Sequence, residues 1–380
     1  LGLVGSEMCI RDSYNSKEKN AVTKVLNSGW ITMGENVTNF EQNFGKYIGE
    51  KNHAVAVSSA TAGLHLILMA IGTKPMDEVI IPGLTFVSDA NVILQLGAKP
   101  VFADSISLED LNVSEEDILN KITAKTKAIV IVHFAGFPLE ISNLNKICKR
   151  KGIHLIEDVA HAPGASIKNI KCGNFGDSSF YSFFSNKNLA CGEGGMVISK
   201  NKKFIENVRN IRSHGMTSMT LDRHKGRATS YDVNKIGLNY RFDEIRAALG
   251  LVQLEKLEAG NNKRSYLSKI YIDLLKESEI ILPFTKLDIT YKSSHHIFPI
   301  ILPKKVKRSK LMKSLKSKGI QTSIHYPAFH SFTAYKKILK RGELPVCDQI
   351  TDRELTLPLH PKMSKKDVEF VCMNLLNFLK

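Results

Sequence analysis

Apolar positions recur at helical spacing over residues 16–26 and again over 37–48, where Phe40, Phe44, Tyr47 and Ile48 fall on one face. Asn27, Ser28 and Gly29 close the first of these helices. The period then shortens. Residues 54–57 read as a strand that runs through Ser58, Ser59, Ala60 and Thr61 into an apolar helix over 62–70. Strand-like runs alternate with helical stretches from there on. Residues 78–81 are stopped by Pro82 and Gly83, a helix follows Phe86 through Leu96, and Val101 and Phe102 open a strand that ends at Asp104. Residues 128–134 and 154–156 are further strands, separated by a helix through Lys149. This alternation predicts an α/β fold with a parallel or mixed sheet covered on both faces. Ligands of such sheets bind beyond the carboxyl ends of the strands.

The second half predicts a helix over 243–257, with Ile245, Leu249, Val252 and Leu254 apolar, continuing through Leu275 as a connector. Strands over 296–302 and 321–325 flank a basic helix at 309–318. Ser364 with Asp367 caps a last helix whose face is Val368, Val371, Leu375 and Phe378. The pattern divides the chain into a large domain at 14–260 and a smaller carboxyl-terminal α/β domain at 261–380. Residues 1–13 fit neither and read as translated adapter sequence, so they are set aside and the natural start is expected to be missing.

Composition narrows the class. With 380 residues and 43% hydrophobic side chains the chain buries a large core. Its apolar runs are short and broken by charge, and no signal-peptide pattern opens it, so a cytoplasmic protein is expected. Cys9, Cys148, Cys172, Cys191, Cys347 and Cys372 lie far apart, with no zinc-ligand spacing, so reduced thiols and no metal site are expected. The formal net charge of +16 is spread along the chain apart from a run between Lys304 and Lys313. It reads as a solvated Lys-rich surface with neither nucleic acid nor membrane as partner, and it is compatible with a phosphate-bearing substrate.

Three places carry candidate chemistry. Lys187 stands between the aromatic run Phe180, Tyr181, Phe183, Phe184 and the turn Gly192, Gly194, Gly195 that leads into Met196. That puts an amine on a connection between two buried strands, where burial lowers its pKa toward a free amine able to form a Schiff base. The alternative is a surface-loop lysine that snorkels to water. The junction Ser58–Thr61 offers backbone N–H groups and the positive helix end to an anion, or is an ordinary N-cap. Asp158, after an apolar strand, is a carboxylate at the sheet rim that needs a cationic partner: a protonated heterocycle, a structural arginine or a metal. His161 beside it is either part of that site or a hydrogen-bonded core histidine.

The segments SSATAGLHL (58–66), IIPGLTFVSDANVILQLGAKPVFAD (80–104), HFAGFPLEI (133–141), LIEDVAHAPGA (155–165), GNFGDSSFYSFFSNKNLACGEGG (173–195), GLNYRFDEIRAALGLVQLEKL (237–257) and SIHYPAFH (323–330) stand in the order and spacing of one family. In this the chain resembles the DegT/DnrJ/EryC1/StrS nucleotide-sugar aminotransferases from Tyr14 onward. The resemblance implies the pyridoxal-phosphate-dependent aspartate-aminotransferase fold (fold type I), pyridoxal 5'-phosphate as cofactor, and a homodimer with shared active sites. It implies Lys187 as the cofactor-bearing lysine, Asp158 as partner of the pyridine nitrogen and Phe86 stacked on the ring. Ala60, Thr61 and Ser182, with Asn239 reaching across from the second subunit, would hold the phosphate, and His161 would lie by the ring near its phenolic oxygen. Ser59-Ala60-Thr61 replaces the family's Ser-Gly-Thr, and Met76-Asp77-Glu78 its Gly-Asp-Glu, without loss of a functional side chain. The sugar dehydratases of the superfamily carry histidine at the lysine position, and Lys187 argues against that chemistry. The implied reaction is amino transfer, with glutamate as donor, to a keto sugar carried by a nucleoside diphosphate. Amination of a cyclitol or other non-nucleotide ketone, or a cofactor-binding regulator without turnover, are the alternatives.

Overall fold

The computed structural model describes residues 14–218, 226 and 229–380; the adapter-like reading of 1–13 lies outside them. In chain order the elements are α1 (Ser16–Ser28), α2 (Glu35–Ile48), β1 (His53–Val57), α3 (Ala60–Ala70), β2 (Glu78–Pro82), α4 (Ser88–Gln95) and β3 (Lys99–Ala103). There follow α5 (Glu115–Asn120), β4 (Thr126–Val132), α6 (Ser142–Lys151), β5 (His154–Asp158), β6 (Ser166–Ile167), β7 (Ile170–Lys171), β8 (Ser178–Ser182), β9 (Gly195–Ser199) and α7 (Lys202–Ile211). The rest comprises α8 (Glu244–Leu275), β10 (Tyr291–Lys292), β11 (Phe298–Ile301), α9 (Arg308–Ser317), α10 (Pro345–Arg353), β12 (Glu354–Leu357) and α11 (Lys365–Leu379).

A seven-stranded sheet runs in the order β1-β9-β8-β5-β4-β2-β3. Strands β3, β2, β4, β5 and β8 are parallel to one another. β9 is antiparallel both to β8 and to β1. Two reversals cancel, so β1 runs with β8 and six carboxyl ends share one rim. The central strands are apolar on both faces, as a sheet covered by helices requires. Val79 and Ile81 enter one core with Val130 and Ile156, while Ile80 enters the opposite one with Ile129, Ile131 and Leu155.

The helix α8 joins this sheet to a second core. Its 32 residues span about 48 Å at 1.5 Å per residue. Leu257 packs under the large sheet. Leu267, Tyr271 and Leu275 pack with Phe298 and Ile300 of β11, Leu355 and Leu357 of β12, and Val368 and Leu375 of α11.

Two expectations change. The strand read at 321–325 reduces to a single bridge, Ser323 with Thr356, because the antiparallel partner of β11 is β12, whose alternate leucines fill the second core. The apolar run at 128–134 ends as strand at Val132, and Phe134–Gly136 turn away in a short 3-10 segment. Among the described residues no helix is long and apolar enough to cross a membrane.

Candidate active site

At the carboxyl rim lies a cavity of about 470 Å³ whose walls include Ala60, Thr61, Phe86, Asp158, His161, Ser182 and Lys187. These seven come from four separate stretches of chain, 60–61, 86, 158–161 and 182–187. The topology brings them together: β8 and β5 are neighbours that end in Ser182 and Asp158, and β1, on the far side of β9 from β8, leads through Ser58 and Ser59 into Ala60 and Thr61. Asn239, the eighth predicted residue, is exposed and bridges Ser213 instead of lining this cavity.

The anion-binding end is built on α3. Ser59 caps the helix, its Oγ accepting from the Ala62 N–H at 3.1 Å, and the remaining first-turn N–H groups lack an intrahelical partner. Gly195, opposite both Val57 and Ser182 in the sheet, presses on this end. A Cβ there would stand 2.7 Å from the Ser59 carbonyl carbon and 2.8 Å from the Ala60 nitrogen. Only glycine lets β9 close against the helix, and the closure sets the Ser182 hydroxyl beside the helix's positive pole.

Lys187 sits on the β8–β9 connection, which is tied down along its length. The Phe183 N–H donates to the Gly194 carbonyl at 2.9 Å, the Cys191 N–H to Phe183 at 2.8 Å, and the Ser185 hydroxyl to Gly192 at 3.1 Å. Asn188 Nδ2 reaches Asn261 Oδ1 at 2.8 Å and the Ser294 carbonyl at 2.9 Å. Burial lowers the Lys187 ammonium from 10.5 to about 8, against the opposing pull of the Asp158 charge. The amine is therefore partly unprotonated near neutral pH.

Asp158 is buried with one donor among the described residues, the Ala160 N–H at 2.7 Å from Oδ1. No described residue hydrogen-bonds Oδ2, which is left for the cavity. Burial first, and then the neighbouring Asp89, push its carboxyl well above the ordinary range. Asp89 is likewise buried and is raised to about 6, although the Thr85 hydroxyl donates to it at 2.7 Å. Two buried carboxyl groups without an arginine favour a cation placed between cavity and sheet.

His161 uses both ring nitrogens within the protein. The Ala135 N–H donates to Nδ1 at 3.3 Å, so the neutral ring carries its proton on Nε2 and donates it to the Tyr326 hydroxyl at 2.8 Å. Burial and Lys187 keep the ring neutral by holding its pKa well below 6.5. Tyr326, having accepted from His161, has its own proton to offer the cavity that it lines. Its ring also lies 5.8 Å from that of Phe86.

Pyridoxal phosphate fits this donor set. An oriented helix end with hydroxyls suits its phosphate, Phe86 its ring face, the unfilled oxygen of Asp158 its pyridine N–H, and the Lys187 amine its aldehyde. The sequence reading missed Asp89, Tyr326 and His325. All three stand inside segments quoted for the resemblance, but the role of each depends on a distant partner.

The profile of the DegT/DnrJ/EryC1/StrS aminotransferase family matches residues 12–376. An uncharacterised protein of Methanocaldococcus jannaschii, MJ1066, is 38% identical over 365 residues, 94% of each chain. Helicobacter pylori PseC, an aminotransferase involved in the biosynthesis of pseudoaminic acid, superposes with a TM-score of 0.88 at 30% identity over 96% of both chains. The pyridoxal-phosphate form of a putative sugar aminotransferase from Streptococcus pneumoniae, Spr1654, does so with a TM-score of 0.88 at 27% identity over 96% of both chains.

Proposed function

Because the chain belongs to the DegT/DnrJ/EryC1/StrS aminotransferase family, and so is a pyridoxal-phosphate-dependent transaminase, we propose that it moves the amino group of glutamate onto a keto sugar linked to a nucleoside diphosphate. The observation that carries the reading is the meeting of Lys187 and Asp158 in one cavity beside the α3 amino terminus. The positive net charge and the amino-sugar setting of PseC support the choice of acceptor. A dimer with shared sites and a cytoplasmic setting belong to the same proposal.

Bound pyridoxal phosphate supplies an electron sink for the bond broken at the donor's Cα. The protein's part is positional and electrostatic. The α3 end, Thr61 and Ser182 anchor the phosphate, with Asn239 of a second subunit completing the anchor. Phe86 covers the ring. The Asp158 carboxylate keeps the pyridine nitrogen protonated, which answers its own need for a cation. Lys187 Nζ holds the cofactor and, when released, takes and returns the proton at the substrate carbon, a task suited to an amine with a pKa near 8.

The test is a single turnover of cofactor-loaded protein with glutamate, followed by a panel of nucleotide-linked 3-keto and 4-keto sugars and free cyclitol ketones. Amination of a nucleotide-linked sugar is expected. Amination of free ketones alone would transfer the activity to that class. Cofactor binding without conversion of glutamate would leave a regulator.

A further inference from the structure

His325 stands between two cavities. It lines the large one with Lys187 and Asp158, and a smaller one of about 90 Å³ with Thr356. Its Nδ1 is 2.9 Å from Thr356 Oγ1, and Thr356 Oγ1 is in turn 2.5 Å from Glu354 Oε1. The other oxygen of Glu354 accepts from the His325 N–H at 2.8 Å, so the chain of contacts closes on itself. Ser323 Oγ, at 3.5 Å from Nδ1, is too far to compete. No described residue hydrogen-bonds Nε2, the ring nitrogen on the side away from Thr356.

We propose that Glu354 and Thr356 are positioning residues that set the tautomer of His325, making its Nε2, which no described residue hydrogen-bonds, a hydrogen-bond donor while Glu354 keeps its proton and an acceptor once that proton is lost. The reason is that the Thr356 hydroxyl has a single proton to give. When Glu354 is ionised, Thr356 donates to Oε1, its oxygen accepts Nδ1–H, and Nε2 is bare. When Glu354 is protonated, Oε1–H donates to Thr356, Thr356 donates to Nδ1, and the ring proton resides on Nε2. The balance is simple. As one proton leaves Nε2, the Thr356 proton passes to Nδ1 and the Glu354 proton passes to Thr356 Oγ1. Every heavy-atom bond stays as it was.

The surroundings place this exchange at a useful pH. Glu354 is fully buried, and that burial raises its carboxyl from 4.5 to about 8, against the hydrogen bonds from Thr356 and the His325 N–H and the charge of Arg308. Arg308 is fixed nearby, donating to the carbonyls of Thr351 and Glu354 at 2.7 Å each. His325 stays neutral, since burial and Lys187 bring its pKa to about 4. The titratable rings around it are His161 at 6.4 Å, Tyr326 at 5.0 Å and His296, whose own pKa registers His325 as a neighbour. Its change is therefore one of tautomer, not of charge. What Nε2 meets rests on the transaminase reading: as a donor it suits a substrate carboxylate or keto oxygen, and as an acceptor it suits an ammonium group. The tautomer relay itself does not depend on that reading.

The experiment is a pH titration of cofactor-loaded protein carrying ring-labelled [13C,15N]histidine, with the His325 resonances assigned by their loss in His325→Asn. From pH 6.5 to 9.5 the wild-type ring is expected to pass from the Nε2–H to the Nδ1–H tautomer, with a midpoint near the Glu354 value of about 8. Glu354→Gln places an amide donor against Thr356 and should hold Nε2–H throughout. Thr356→Val cuts the relay and should remove the response, with melting curves confirming that both variants are folded. A wild-type ring whose tautomer ignores pH, or a Glu354→Gln ring that still switches at the same midpoint, overturns the proposal. Failure of the transaminase reading would show instead as unconverted glutamate, with the tautomer titration unaffected.

Discussion

Glu157 and Asp158 are neighbours on β5, both buried, and the pleat turns them to opposite faces of the sheet. Glu157 is saturated. His133 Nε2 donates to it at 2.9 Å, and the N–H groups of Gly173, Phe175 and Gly176 at 2.7, 2.7 and 2.6 Å. His133 is held in the right tautomer because its Nδ1 accepts from the Leu139 N–H at 3.0 Å. Among the described residues Asp158 has the Ala160 N–H alone, and burial pushes its carboxyl well up. Two adjacent residues of the same chemistry thus differ in how much of their acceptor capacity the protein itself fills. A carboxylate with every lone pair used holds structure together, whereas one left short at a cavity wall awaits a cation from outside.

The contrast can be tested from its strongest consequence downward. Lys187→Ala removes the amine that lines the cavity together with Asp158. Transamination should fall by about 10⁴-fold or more, and borohydride reduction followed by peptide mapping should no longer label the 183–194 connection; label on another lysine would sink the assignment. Asp158→Asn keeps volume and removes charge. It should slow the half-reaction with donor by roughly 10²-fold while the melting temperature changes little. Asn239, exposed where Asp158 is buried, carries the comparison to the second subunit. Lys187→Ala and Asn239→Ala proteins, each inactive alone, should regain activity when mixed after verified subunit exchange, and no recovery would place Asn239 outside the shared site.

Glu157→Gln is the counterpart of Asp158→Asn and should invert its outcome. An amide NH₂ would face backbone N–H donors, so stability should drop by about 3 kcal/mol, with the folded fraction turning over near the wild-type rate. If both variants lose stability and keep activity, the distinction between the two carboxylates collapses. The smallest effect is expected from Tyr326→Phe, which strips the acceptor from His161 Nε2. A loss of about tenfold in the half-reaction corresponds to one net hydrogen bond of about 1.4 kcal/mol, and an unchanged rate would remove Tyr326 from the site.

The parts of the fold that periodicity carries were legible in the sequence: the parallel strands with their double-sided apolar runs, the capped helices α1 and α11, and the continuous connector α8. The same is true of three residues that line the cavity, Thr61 at a helix start, Asp158 at a strand end and Lys187 on a strand connection, whereas Ser182 was implied only by the family resemblance. The place of those three is set by neighbours a few positions away, because strand termini and glycine turns are local in origin. β12 and α10 were not legible; each is short, and β12 exists through pairing with β11 and through leucines filling a core that other elements define.

What the sequence determined by itself, then, was an α/β chain with an amine and a carboxylate at the rim of its sheet. Only the tertiary structure decided the protonation states around them. His161 and Tyr326 meet across 165 positions, Thr85 and Asp89 gather under Asp158, and Glu354 reaches His325 through Thr356. A hydrogen-bond partner, and with it a tautomer or a shifted pKa, depends on distances of a few tenths of an ångström between segments far apart in the chain. Such distances arise from packing, and no local pattern of residues encodes them.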